Sequence, residues 1–210
     1  MNYTADYTDE KGRVTKVTVT EEESREALRN DYEKLMKTYN PSIVKITREL
    51  AQTGEAMRLS IQVNAPTHYL TSQEDRTPKS CSSMTATMVV YPGYPLKGVK
   101  VFYPANHYLA SPNVFRSGNA CIDTWVVFTS SILTVAEKII MDMIHNPAVT
   151  RYNSMANPWM EDWHKDGVEK GLFPTIPPRR VYALLAMPPR KRPKTTTTTF
   201  PPMPPRKRRA

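Results

Sequence analysis

The stretch Met57-Arg58-Leu59-Ser60-Ile61-Gln62-Val63 alternates apolar and polar side chains at every position. Successive side chains of a β-strand point to opposite faces, so this period indicates a strand with one face buried. A similar alternation runs through Val44 and Ile46, before a turn at Gly54. Together the two runs predict an antiparallel hairpin whose apolar face needs further strands and helices to cover it.

Strand signals continue downstream with the same period. The apolar positions of a third and a fourth strand are Met84, Ala86, Met88 and Val90, then Val99 and Val101. A turn at Tyr91-Pro92-Gly93 separates these two strands. The four strands predict an antiparallel meander that packs on helices, and hence an α+β fold.

An amphipathic helix is predicted before the first strand. Thr20 and Glu23 have the spacing of a capping box, in which each residue caps the backbone of the other. The apolar positions that follow recur at helical spacing: Leu28, Tyr32, Leu35, Met36 and Tyr39. Asn40-Pro41 is predicted to end this helix.

Between residues 103 and 131 neither period holds. Such a length without regular structure is uncommon in a compact domain, and long ordered loops are often functional. A strongly apolar helix is predicted to begin at Ile132 and to end near Asn146-Pro147, and we expect this central helix to support the loop. A final helix is predicted over about residues 159–170, where Gly171 stops it and Trp163 serves packing.

Charge is unevenly distributed along the chain. The 210 residues include 29 basic and 20 acidic ones, and residues 177–210 hold ten of the basic residues, no acidic residue and nine of the 19 prolines. This composition cannot bury enough apolar surface to form a core, so the tail is predicted to be disordered. We therefore predict an N-terminal extension at residues 1–19, one domain at residues 20–176 and a basic tail at residues 177–210.

The chain has no apolar run long enough to span a bilayer, and its first residues lack the features of a signal peptide. A cytoplasmic location is expected. Cys81 and Cys121 are then expected to be reduced thiols. No metal-ligand spacing or Gly-rich phosphate loop occurs, and no cofactor is expected.

Cys121 ends a segment that combines a thiol, a side-chain amide and a tight turn. The segment reads Ser111-Pro112-Asn113-Val114-Phe115-Arg116-Ser117-Gly118-Asn119-Ala120-Cys121. A thiol is both a good nucleophile and a good leaving group, which suits thioester chemistry. A cysteine protease would also need an activating imidazole. The four histidines fit no protease signature: His68, His107, His145 and His164.

The segment resembles the active-site stretch of ubiquitin-conjugating enzymes, in which a His-Pro-Asn triplet and a glycine precede the catalytic cysteine. Tyr94-Pro95-Leu96 and Leu133-Thr134-Val135 are similar to two further stretches of that family, and the resemblance covers about residues 20–157. It implies a UBC-like fold. It also implies a transferase in which Cys121 accepts a ubiquitin-like protein as a thioester from an activating enzyme and passes it to an amine of a target protein.

The resemblance implies roles for individual residues as well. The residues implied as loop support are Ser111, Pro112 and Gly118. Asn113 would stabilise the oxyanion or brace the loop, although an Asn there could merely cap its own turn. Asp123 would orient or deprotonate the incoming amine, although it could equally be a solvated carboxylate. Asn153 or Ser154 is the acceptor-side candidate, and Leu96 would face partner proteins.

The chain departs from the family pattern at defined positions. Ser111 stands where the family has its histidine, and Gly98-Val99 replaces a double proline. Residues 129–132 differ from the loop that, with the loop around Leu96, docks ubiquitin ligases, so a conventional ligase partner is in doubt. These departures resemble divergent bacterial members that are encoded beside an activating enzyme, a ubiquitin-like protein and a metalloprotease in operons linked to phage defence.

Two other classes of function stay open. An inactive relative would keep the fold as a scaffold for a ubiquitin-like protein. Ser111 in place of the histidine favours this alternative, while Asn113, Gly118 and Cys121 oppose it. A binding module would act through the tail, whose clusters 190–192 and 206–209 could neutralise phosphates of nucleic acid or another acidic surface. Prolines of the tail could also engage an aromatic groove on a partner.

Overall fold

The computed structural model describes residues 1–8, 12–72, 74–121, 131–150, 152 and 155–174. Within them, the strands are β1 (Asn2–Thr8), β2 (Val14–Thr20), β3 (Val44–Glu49), β4 (Met57–Val63), β5 (Thr67–Leu70), β6 (Lys79–Cys81), β7 (Met84–Val90), β8 (Val99–Phe102) and β9 (Tyr108–Leu109). The α-helices are α1 (Glu21–Thr38), α2 (Ile132–Met143) and α3 (Glu161–Glu169), and short 3-10 helices lie at Pro147–Val149 and Pro158–Met160. Taken over these same residues, every helix is too short or too polar to cross a membrane.

The central sheet is a four-stranded antiparallel meander in the order β3-β4-β7-β8. Ile61 of β4 lies opposite Ile46 of β3 on one side and Ala86 of β7 on the other. Along β4 every second side chain is buried: Met57, Leu59, Ile61 and Val63. The alternation read from the sequence therefore marks the face that packs into the core, and the predicted meander and α+β class are confirmed.

The first helix begins as predicted and ends at Thr38, so Tyr39, which was predicted to be helical, is its C-cap with extended backbone angles. The Thr20 hydroxyl accepts a hydrogen bond from the Glu23 backbone N–H at 3.2 Å, and the Glu23 carboxylate accepts one from the Thr20 N–H at 2.8 Å. These two bonds form the predicted capping box. Leu28 and Leu35 are buried, but Met36 is 40% exposed and therefore lies outside the buried stripe.

Helix α2 lies in the core, and Tyr94 fixes its first residue. Most side chains of α2 are buried, including an acidic one, Asp142. The Tyr94 hydroxyl donates to the Asp31 carboxylate of α1 at 2.6 Å and accepts from the Ile132 backbone N–H at 2.9 Å. The Tyr94 hydroxyl therefore links α1, the turn after β7 and the start of α2 through two hydrogen bonds.

The predicted N-terminal extension forms a hairpin of β1 and β2 that leads directly into α1. Tyr3 packs against Gly93, where an added Cβ would come within 2.8 Å of the tyrosine ring. The Glu21 backbone N–H donates to the Met1 carbonyl at 2.9 Å. The hairpin is thus attached at both the turn after β7 and the start of α1.

A second sheet, in the order β6-β5-β9, has no counterpart in the sequence prediction. Its strands are two to four residues long, which is too short for a period of two to be recognised. Strand β9 lies inside the stretch predicted to be irregular, where it pairs with β5 through Leu70 opposite Tyr108. The cysteine loop is therefore anchored to a sheet at its beginning.

Candidate functional site

Backbone hydrogen bonds fold the segment before Cys121 back on itself. Val114 and Ala120 form an isolated antiparallel bridge, and the Ala120 N–H donates to the Val101 carbonyl of β8 at 2.9 Å. The Cys121 N–H donates to the Asn113 carbonyl at 2.7 Å. The thiol-bearing residue is therefore held beside Asn113, eight positions earlier in the chain.

Ser111, Asn113 and Asp142 form a buried network under this loop. The Ser111 hydroxyl donates to Oδ1 of Asp142 at 2.7 Å, and Nδ2 of Asn113 donates to the same oxygen at 2.9 Å. Ser111 also accepts from the Asn113 backbone N–H at 3.1 Å. All three side chains are buried. One carboxylate on the central helix thus braces both the start of the loop and the residue that receives the Cys121 N–H.

Burial raises the pKa of Asp142 to about 6, and this effect outweighs the hydrogen bonds from Ser111 and Asn113 and the charge of Lys138, which lower the pKa. Sequence reasoning missed this residue. The available signal was an acidic side chain within the strongly apolar run of α2, where a buried carboxylate needs hydrogen-bond donors from elsewhere in the fold.

The Asn113 amide acts as a brace in this structure. Its nitrogen donates to Asp142 and also to the Val149 carbonyl at 3.3 Å, so both amide hydrogens have acceptors. To stabilise an oxyanion, the amide would have to release one of them, and the longer bond to Val149 is the weaker. Of the three interpretations of Asn113, which are oxyanion stabilisation, loop bracing and capping of its own turn, this geometry favours loop bracing.

The space beside Cys121 is small. A cavity of about 10 Å³ is lined by Asn113, Ala120, Cys121, Val135, Lys138, Ile139 and Asp142. This volume holds about one water molecule, whereas pockets for small-molecule ligands span roughly 300–1,000 Å³. The cysteine is half-buried at the edge of this cavity. The described residues therefore leave room for no more than about one water molecule in the cavity beside this thiol.

The remaining predicted residues fall into three groups. Pro112 belongs to the loop, and its carbonyl accepts from the Asn157 N–H at 3.0 Å. Leu96 lies elsewhere, half-buried in the turn between β7 and β8. Three predicted site residues lie outside the described residues, as does the tail: Asp123, Asn153 and Ser154.

Gly118 supports the loop through its backbone conformation. Its φ is +84°, and an added Cβ would lie 2.9 Å from the Tyr103 carbonyl oxygen. The Gly118 carbonyl also accepts from the Tyr103 N–H at 2.9 Å. A side chain here is unfavourable both for its backbone angle and for its contact with a rigid neighbour.

Gly118→Ala is expected to lower the free energy of unfolding by about 2 kcal/mol. Alanine is unfavourable in the left-handed backbone conformation, and its Cβ would clash with the Tyr103 carbonyl oxygen. Urea denaturation measures this change. Gly54→Ala is the matched control, since Gly54 also has a positive φ (+86°) but an added Cβ there meets nothing within 4 Å. If the two variants lose the same stability, the close approach to Tyr103 carries no extra cost.

Three of the four histidines pack together in an aromatic cluster. His68, His145 and His164 form a cluster with Trp163 and Phe173, in which the His145 and Phe173 rings are 4.8 Å apart. His107 stacks on Tyr69 with ring centroids 3.9 Å apart. Among the described residues that line the cavity of Cys121, none is a histidine. The predicted packing role of Trp163 is confirmed.

Both cysteines are outside any disulfide. Cys81 donates its thiol hydrogen to the Ser83 carbonyl at 3.1 Å, and burial raises the pKa of this thiol.

No protein-family model matches the chain, and a search of curated proteins finds no similar sequence. The geometry of the Cys121 loop is therefore the basis for assigning a function.

Proposed function

We propose that this chain is a conjugating enzyme for a ubiquitin-like protein, with a UBC-like fold and Cys121 as its nucleophile. The observation that carries the proposal is the 2.7 Å bond from the Cys121 N–H to the Asn113 carbonyl, on a loop fixed to the central helix through Asp142. This arrangement brings together residues that the family resemblance implies: Cys121, Asn113, Ser111, Pro112 and Gly118.

The order of elements supports the proposed fold. A capped helix precedes a four-stranded antiparallel meander, the cysteine loop follows the last of these strands, and an apolar helix carries the loop. The family resemblance implies the same order. The β1–β2 hairpin and the small second sheet are additions to that outline.

The proposed chemistry consists of two acyl transfers. The Cys121 thiolate attacks the thioester carbonyl of a charged activating enzyme; a new C–S bond forms, the old one breaks, and the activating enzyme leaves as a thiolate. An amine of the target protein then attacks the Cys121 thioester and loses a proton, and the cysteine leaves as a thiolate. Neither step changes an oxidation state.

Ser111 braces the loop at the position where the family has its histidine. The Ser111 hydroxyl is fully buried and is bound to Asp142, so the loop has a fixed hydrogen-bonded support at this position. A rigid loop favours acyl transfer, because reacting groups held near the geometry of attack avoid much of the entropic cost. This support favours an active enzyme over the scaffold alternative.

The setting and partners belong to the same proposal. The partners are a ubiquitin-like protein, its activating enzyme and a target protein, and the expected location is the cytoplasm. The subfamily that fits the sequence departures is the bacterial one found in phage-defence operons. A role for the basic tail in binding nucleic acid would add to this activity rather than replace it.

The proposal predicts a thiol-labile adduct on Cys121. We expect the wild-type protein, incubated with a candidate activating enzyme, ATP and the ubiquitin-like protein, to form a band on non-reducing gels that thiol removes. Cys121→Ser should give no adduct or a thiol-resistant ester, because an oxygen ester resists thiol exchange. Cys81→Ser is the matched control and should form the adduct at the wild-type rate.

Two outcomes would count against this assignment. If Cys121→Ser forms the same thiol-labile adduct, the nucleophile lies elsewhere. If no adduct forms although the activating enzyme is itself charged, and Cys121→Ala retains the function of the protein in cells, the chain acts as a scaffold. In that case deletion of residues 187–210 tests the tail as the functional element.

A further inference from the structure

An exposed cationic and aromatic surface lies beside the cysteine loop. Its four residues are Phe115, Arg116, Trp159 and Arg76, which we call the arginine–tryptophan patch. The Trp159 side chain is 53% exposed and that of Phe115 is 43% exposed. The guanidinium carbon of Arg76 lies 3.9 Å from the centre of the Trp159 ring, and that of Arg116 lies 5.3 Å away. Both arginines are thus within cation–π range of one indole.

The two guanidinium groups are suited to binding carboxylates. Within the described part of the chain, neither Arg76 nor Arg116 forms an ion pair or a side-chain hydrogen bond. A guanidinium stacked on a ring keeps its N–H edges available for bidentate bonds to carboxylates, and its orientation is already restricted. Asp75 on this segment accepts hydrogen bonds from the Thr71 hydroxyl and the Thr77 backbone N–H. The neighbouring acidic residue, Glu74, is exposed.

The patch and the thiol are carried by the same loop. Arg116 lies in the turn closed by the bridge between Val114 and Ala120, and Cys121 follows that bridge directly. Trp159 is connected to the loop through Asn157, whose N–H donates to the Pro112 carbonyl at 3.0 Å. Arg116 lies two residues from the bridged pair and Cys121 one residue beyond it on the other side, so at about 3.3 Å per extended residue the two are roughly 10 Å apart across the hairpin.

We propose that the arginine–tryptophan patch binds acidic side chains in the segment that precedes the acyl carbon of the incoming protein. This inference rests on the proposed acyl transfer. The cavity that the described residues form at Cys121 holds about one water molecule, so we expect selectivity to come from the surface that the segment attached to Cys121 crosses. The incoming protein keeps the segment that precedes its acyl carbon throughout both transfers. Acidic residues about three to five positions before the acyl carbon would reach the patch.

Two matched peptides test the binding directly. Both end in Ala-Ala-Gly and carry a fluorophore at the N-terminus; one has three aspartates and the other three lysines immediately before this end. As C-terminal carboxamides, they report binding through fluorescence anisotropy. We expect the acidic peptide to bind at least tenfold more tightly at low salt, and 0.5 M NaCl to remove most of this preference.

The same peptides as S-phenyl thioesters test the chemistry. Attack by Cys121 forms the new C–S bond and releases thiophenolate, and intact mass spectrometry measures the rate. The acidic thioester is expected to load at least tenfold faster than the basic one. In the double variant Arg76→Gln/Arg116→Gln the preference should fall close to one. The control is Lys100→Gln, which removes a cation of β8 that lies over the ring of Tyr91.

The two readouts separate the inference from the proposed function. If the acidic carboxamide binds through the arginines but neither thioester loads Cys121, the patch stands and the acyl-transfer proposal fails. If Cys121 loads both peptides equally and the arginine variant changes nothing, acyl transfer stands and the inference is wrong. A single-stranded oligonucleotide that binds the patch more tightly than the acidic peptide would also overturn it.

Discussion

Asp142→Ala is expected to slow peptide loading on Cys121 by about 100-fold, because displacement of reacting groups by about 1 Å can cost this much. The variant removes the acceptor of both the Ser111 hydroxyl and the Asn113 amide. We also expect the free energy of unfolding to fall by about 2 kcal/mol, since buried donors without acceptors are unfavourable. Loss of the desolvated carboxylate limits this fall.

Asp142→Asn is the matched control for the loop network. It keeps an oxygen that can accept from Ser111 and Asn113, so loading should stay within a few-fold of wild type. Loading is measured with the acidic S-phenyl thioester, and stability by urea denaturation at pH 7.5. If Asp142→Ala is folded and loads as fast as wild type, the buried network does not position the cysteine.

Acid is expected to destabilise the protein through the histidine cluster. Burial, with smaller contributions from the charges of His68 and His164, lowers the pKa of His145 to about 3, and burial lowers that of His164 to about 4. Both pKa values lie below 6.5, the ordinary value for an unfolded histidine. The unfolded chain therefore binds protons that the folded chain excludes, and stability falls as pH drops below 6.5.

Asp142 acts in the opposite direction. Its raised pKa means that the folded state takes up a proton between pH 6 and 3.8, which stabilises the fold as pH falls. Burial also lowers the pKa of His68, so the three histidines together outweigh the one aspartate, and we expect a net loss of at least about 1.4 kcal/mol per pH unit between pH 6 and 4. Urea denaturation at pH 7.5, 6, 5 and 4 measures this slope.

His164→Gln provides the control for the pH prediction. Removing one buried histidine should flatten the slope by about 1.4 kcal/mol per pH unit. The matched comparison is His107→Gln, which removes a histidine that stacks on Tyr69 outside the cluster. An unchanged slope in His164→Gln would mean that the cluster opens to solvent before it protonates.

Several features of the fold could be predicted because they depend on neighbours in sequence. The capping box of Thr20 and Glu23 involves residues three positions apart, and its bonds need only the first turn of a helix. The alternation in β4 reflects which face of one strand is buried. Cys121, Asn113 and Gly118 could be selected as a motif for the same reason, since all three lie within one loop of the sequence.

Other features were beyond such reasoning. Strand β9 has two residues and exists because Tyr108 and Leu109 pair with β5, nearly forty residues earlier. The arginine–tryptophan patch joins three distant segments through Arg76, Arg116 and Trp159. No period or motif in one stretch of sequence reports such contacts, because they form only after the chain has folded.

Local chemistry thus specified the capped helix, the individual strands of the meander and the thiol with its turn, because each depends on interactions within a helix turn, a strand or one loop. Tertiary structure alone decided how the thiol is supported. Ser111 and Asn113 meet Asp142 across 31 and 29 positions of sequence. A carboxylate becomes a brace for a loop only where packing buries it and brings its donors within hydrogen-bond distance.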